Sequence, residues 1–113
     1  MIINKTTGKR ISKKEIICKN IFSQARGLMF RRKQNLVMIF TPERKISLHN
    51  LFVFYPIDVI LLNKKMEVVE IKRDFKPFTF WTSKNKAKYV IELGKDNSKN
   101  VDVKIKNKIE IKN

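Results

Sequence analysis

The sequence predicts a mainly β fold (α+β), a curved, barrel-like antiparallel sheet of about seven strands with one short helix near residues 21–29. Three observations lead there. Short apolar runs of strand length, "LVMIF", "IDVILL" and "AKYVIEL", are bounded by turn-forming or polar residues. The segment "VDVKIKNKIEIK" alternates apolar and polar residues as a half-buried strand does. Only "NIFSQARGLMF" carries helix signals, with Asn20 placed as N-cap, Ala25 and Arg26 as helix formers and Gly27 as the stop.

The elements follow in order. "NKTTGKRI" reads as an opening hairpin or turn around Gly8, and "KEIICK" as a strand. After the helix, "LVMIF" is a buried strand closed by "TPERK". "ISLHNLFVFY" and "IDVILL" are extended pieces hinged at Pro56, which lacks the N–H that a central ladder needs. "NKK" turns the chain into the returning strand "MEVVEIKR". "DFKPFTFWTSKNK" reads as irregular, and "AKYVIEL" as another buried strand. The last stretch reads as a hairpin turning near Lys106–Lys108. Val101, Val103, Ile105, Ile109 and Ile111 are expected inside, and Lys104, Lys106 and Lys112 outside.

A chain of 113 residues, 42% hydrophobic with eight Phe, argues for one domain over residues 1–113 with a core that needs no disulfide. The lone Cys18 sits among apolar neighbours and reads as a core residue. Cys and His show no metal-ligand spacing, so neither metal nor cofactor is expected. The basic, polar start has no apolar secretory core, and Pro56 and Asp58 interrupt the longest apolar run. A soluble cytoplasmic protein without membrane contact is therefore expected. The net charge of +16 has two readings. One is a polyanionic partner such as RNA or DNA. The other is composition: Lys, Ile and Asn are plentiful throughout, as in an archaeal, thermophilic or AT-rich host, and the lysines are spread along the chain.

"ARGLMFR", an apolar strand, "FYPIDVILLNKKMEVVEI" and "KAKYVIEL" occur in that order. Together they resemble the family catalogued as domain of unknown function 192, small proteins of bacteria and archaea. The matching positions are Arg26, Gly27, Leu28 and Met29, then Pro56, Asp58 and Val59, then Tyr89, Val90, Glu92 and Leu93. The likeness covers roughly residues 16–111. It implies a mainly β fold and brings no activity with it. Two segments depart from the family pattern. Ser47, Leu48, His49 and Asn50 stand where many members have Trp-Met-Lys-Asn, and Lys106 and Asn107 stand where many have Gly-Asp.

Asp58 is the only certain charge within "ISLHNLFVFYPIDVILL". A buried carboxylate needs a strong partner. Arg26, with its planar fork, is the candidate, and backbone amides would serve as well. Loss of such a buried pair would cost about 3–5 kcal/mol. His49, the one histidine, lies next to Asn50 and could line a shallow polar site with Asp58. A Ser47–His49–Asp58 triad can be drawn on paper, but no nucleophile elbow supports it. Phe75, Phe78, Phe80 and Trp81 are interleaved with Lys72, Arg73, Lys76, Lys84, Lys86 and Lys88, the pattern that single-stranded nucleic-acid binders use. Arg31 and Arg32 would add a second basic contact. The plainer reading makes Phe75, Phe78 and Phe80 core residues. These residues favour a non-catalytic binding or accessory module. An RNA- or single-stranded-DNA-binding protein and an enzyme around His49 and Asp58 are the alternatives.

Overall fold

The structure, a computed structural model, describes residues 1–19, 34–49, 54–94 and 102–112. The helix expected at 21–29 lies outside them, as do Arg26, Arg31, Arg32, Asn50 and Val101. Among the described residues, eight strands run in the order β1 (Ile2–Asn4), β2 (Lys9–Ser12), β3 (Glu15–Cys18), β4 (Asn35–His49), β5 (Ile57–Leu62), β6 (Val68–Phe75), β7 (Phe80–Leu93) and β8 (Ile109–Ile111). They form a five-stranded sheet, β3-β4-β7-β5-β6, and a three-stranded sheet, β2-β1-β8.

The mainly β expectation holds, but the described sheets do not close into a barrel. The long β4 and β7 arch together, with register breaks at Ile39/Arg44 and Lys45/Ser47. The arch brings β7 back toward the edge strand β6, yet no backbone ladder forms there. Instead the Glu70 carboxylate accepts from the Lys84 and Asn85 amides (both 2.9 Å) and from Asn85 Nδ2 (3.0 Å). The seam is made by a side chain, so the sheet stays open. It is not wholly antiparallel either, because β3 runs parallel to β4.

Alternation explains the core. Leu36, Met38, Val59, Leu61 and Val90 face one side of the large sheet, where Cys18, Ile46, Tyr55, Phe75 and Ala87 cover them. Val37, Ile60, Leu62, Ile91 and Leu93 face the other side, against Ile2, Ile11 and Ile109 of the small sheet and against Val103. Buried on both faces, β5 reads as a continuous apolar run. Cys18 is buried, as expected.

The opening hairpin forms as read. Gly8 turns it with φ +76°, and its amide donates to the Asn4 carbonyl at 2.8 Å. Asn4 is fully buried. Its Nδ2 donates to the Asp102 carbonyl and to Asn107 Oδ1 (2.9 and 2.8 Å), and its Oδ1 accepts from the Thr6 amide at 3.0 Å.

Three expectations are corrected. β4 does not stop at "TPERK", because the bulged register carries it on to His49. "FWTSKNK", from Phe80, is strand instead of irregular chain, held where Ser83 Oγ accepts the Ile46 amide (2.9 Å) and donates to the Asn85 carbonyl (2.8 Å). Residues 102–104 do not pair with β8 as a hairpin. Ile105 lies in a turn and is 51% exposed, while β8 pairs with β1. Val103 and Ile109 are buried as expected, and Ile111 partly so. Hydrogen bonds from Lys106 N to Val68 O and from Val68 N to Asn107 O dock this turn on β6.

Candidate nucleic-acid interface

The arched ribbon of β4 and β7 positions the exposed aromatic and basic side chains. Leu48 opposes Trp81 across the ribbon, and both pack on the first core cluster. Residues between them point the other way, by strand alternation. Ser47 and Thr82 therefore stand outside, with their hydroxyl oxygens 3.3 Å apart. Phe80, 74% exposed, and Lys84 continue that outer face along β7. Lys45 and Lys86 oppose each other directly, and both are exposed. Facing like charges destabilise a sheet pair, so a bound anion would relieve this one.

The aromatic residues divide. Phe75 is 2% exposed and belongs to the core, with its ring 6.5 Å from that of Trp81. Phe78 and Phe80, expected inside, are instead 56% and 74% exposed. The reason is local. The turn at Pro77–Phe78, with Phe78 at φ 61°, breaks the alternation that began at Phe75, and Trp81 takes the inward place. Phe54, 67% exposed, meets Phe78 edge to face at 5.9 Å. Sequence reasoning missed Phe54. From Phe80 to Lys88 the chain carries three lysines and no acid.

His49 ends β4 opposite Phe80. Asp58 is only 6% exposed and is held by a backbone amide, one of the two anchors expected; Arg26, the other, lies outside the described residues, and Arg73 stands beside Asp58. Its Oδ1 accepts the Asp74 amide at 2.9 Å, and Arg73 Nη1 lies 3.6 Å from Oδ2. Burial raises its carboxyl above the ordinary range, more than the Asp74 amide and the Arg73 guanidinium lower it. The sequence did not announce Arg73: plain counting from the turn at Asn63 pairs Asp58 with Lys72, and the register shift at Leu61/Leu62 moves Val59 opposite Lys72 and leaves Arg73 beside Asp58.

Glu92 was noted only as a motif residue. It sits in β7, the middle strand, between Leu36 of β4 and Val59 of β5, and is 5% exposed. Among the described residues its carboxyl group has no hydrogen bond or ion pair, and burial pushes its pKa up to about 7. Asp58 and Glu92 do not form a pair. Alternation puts Glu92 on the face of Val90 and Val59, and Asp58 on that of Ile60. Among the described residues, no group of three His, Cys, Asp or Glu side chains could hold a metal ion, and no helix is long and apolar enough to cross a membrane.

An open, two-layered β protein with a cationic, aromatic ribbon defines a general class. The chain belongs to a particular family, DUF192 (Uncharacterized ACR), whose model matches residues 2–111. It is 41% identical over 96 residues to a UPF0127 protein of Thermococcus sibiricus, covering 81% of this chain and 62% of that protein, so the chain spans under two thirds of that relative's length. It is 37% identical over 94 residues to a UPF0127 protein of Pyrococcus furiosus, covering 80% of each chain. Both relatives are archaeal. A crystal structure of a protein of unknown function from Novosphingobium aromaticivorans shares the fold, with a TM-score of 0.84 and 20% identity over 97% of this chain and 82% of that one.

Proposed function

We propose that this is a non-catalytic, single-domain cytoplasmic binding module whose partner is single-stranded nucleic acid, held along the outer face of the β4–β7 ribbon. The exposure of Phe80 on the same strand as the exposed Lys84 and Lys86, with Phe54 and Phe78 exposed before it and Lys45 across the ribbon, carries this reading. Exposed rings offer stacking platforms to bases, and the ammonium groups meet phosphates. Leaving such rings in water brings no folding stability, so a binding role accounts for them better than packing does. A catalytic site at His49 and Asp58 has less support, because Arg73 and the Asp74 amide already engage the Asp58 carboxylate.

The test is a salt titration of binding to a short fluorescent single-stranded RNA. Affinity should fall steeply, with log K dropping by about 0.7 per phosphate neutralised for each decade of salt. Phe80→Ala should weaken binding about tenfold without changing the unfolding midpoint, from the loss of one stacked base. Trp81→Ala should act mainly on stability, because its ring packs on the core. Binding that is feeble, or indifferent to Phe80, would leave the charge to composition and remove the proposal.

A further inference from the structure

We infer a second anion site where the turn between β5 and β6, tied to β4 by the Lys64 amide donating to the Glu43 carboxylate at 2.7 Å, meets β8: a binding site for the polyphosphate of a nucleotide. A cavity of about 370 Å³ opens there. Four lysines from three separate stretches of chain converge on it: Lys5 just after β1, Lys64 and Lys65 in the turn, and Lys108 just before β8. Met66, Ile109 and Ile111 add apolar lining.

The lysines are carried on fixed backbone. Asn63 Oδ1 accepts from the amides of Lys65 and Glu67 at 2.9 and 3.0 Å, which shapes the turn and holds Met66 at φ 65°. The Ile109 amide donates to the Met66 carbonyl at 2.9 Å, and the Lys5 amide to the Lys108 carbonyl at 2.7 Å. The Lys108 ammonium donates to the Lys65 carbonyl, which fixes one cation at the wall. A left-handed, non-glycine residue within a docked turn is a strained feature of the kind that clusters at binding sites.

Charge selects the ligand. Among the described residues none of these four lysines is ion-paired. The one carboxylate in the lining, Glu110, lies 3.8 Å from Lys112. A single monovalent anion would leave most of this positive charge unbalanced, whereas a chain of phosphates offsets several ammonium groups at once. The volume falls within the range of small-molecule sites, and the apolar lining suits a base or a similar flat group. The same phosphate chemistry could arrive on an RNA backbone, so the experiment must separate the two.

Amide chemical shifts of the full chain would be followed by NMR during titration with sodium tripolyphosphate, with ATP, and with a short single-stranded RNA. Saturable shifts at residues 64–66 and 108–111 are expected with tripolyphosphate, and tighter binding with ATP. Lys64→Gln combined with Lys65→Gln should weaken both by about tenfold, while the exposed Lys13→Gln, elsewhere on the surface, leaves them unchanged. Equal losses in both variants would overturn the proposal, since any scattered lysines would then serve. So would shifts without saturation. If only RNA moves these amides, and the double variant weakens it, the cavity is an extension of strand binding and the nucleotide site falls. If the nucleotide binds here while Phe80→Ala leaves RNA binding intact, this site stands and the ribbon reading fails.

Discussion

Glu92→Gln is expected to flatten the pH dependence of stability and to make the protein more stable above neutrality. The carboxyl of Glu92 moves from an ordinary 4.5 to about 7 in the folded state, through burial alone. Between those values the folded chain keeps a proton that the unfolded chain has released. The stability this supplies is complete below pH 4.5 and is lost as pH rises to about 7. At about 1.4 kcal/mol per pKa unit, the loss is roughly 3 kcal/mol. Glutamine keeps the shape and stays neutral, so its unfolding midpoint in urea should be nearly equal at pH 5 and pH 8. Asp58, also raised by burial, acts in the same direction from a lower start at 3.8, so a slope remaining at the acidic end belongs to it. Parallel curves for wild type and Glu92→Gln would show that Glu92 does not titrate in this window.

The second large effect is at Asp58. Asp58→Ala should destabilise by about 2–3 kcal/mol, chiefly because the Asp74 amide loses its acceptor beside a buried strand. This is less than the 3–5 kcal/mol for a fully buried ion pair. Arg73, with its side chain 45% exposed, keeps water and its hydrogen bond to the Val103 carbonyl (3.3 Å) when Asp58 is lost, and its contact with Asp58 at 3.6 Å is partly screened. Asp58→Asn, which retains an acceptor, should cost about 1 kcal/mol or less, since burial works against the charge. Equal losses from Ala and Asn would mean that the charge, and not the hydrogen bond, holds β6 to β5. Thermal or urea unfolding of the two variants at pH 7 decides it.

The buried centre of the fold was legible in the sequence. β5, the end of β7 and the start of β4 are apolar runs, since both faces of the large sheet are covered. The polar halves of β4 and β7 were not legible. Their strand state depends on each other and on Ser83, a tertiary contact that overrides local composition. The last hairpin failed for a related reason. Ile109 and Ile111 alternate as expected, but their ladder partner is β1, more than a hundred residues earlier. The candidate sites divide in the same way. Asp58 was legible because a charge inside an apolar run demands a partner, but Arg73 was not, because the register shift at Leu61/Leu62 moves the pairing by one residue. Phe78 and Phe80 were read as core because their exposure depends on a left-handed turn residue. The lysine-lined cavity joins residues 5, 64, 65 and 108, and no local pattern announces it.

The pairing of β1 with β8 sets an order of assembly. Ile2, Ile3 and Asn4 leave the ribosome more than a hundred residues ahead of their ladder partners, Ile111, Glu110 and Ile109. The Asn4 side chain meets Asp102 and Asn107 only when those late residues arrive. Closing so long a loop is entropically costly, and contacts far apart in sequence slow folding. β1 must therefore wait for β8, half-paired with β2, while the large sheet forms without it. The small sheet then works as a latch, thrown once the strands between β2 and β8 are in place.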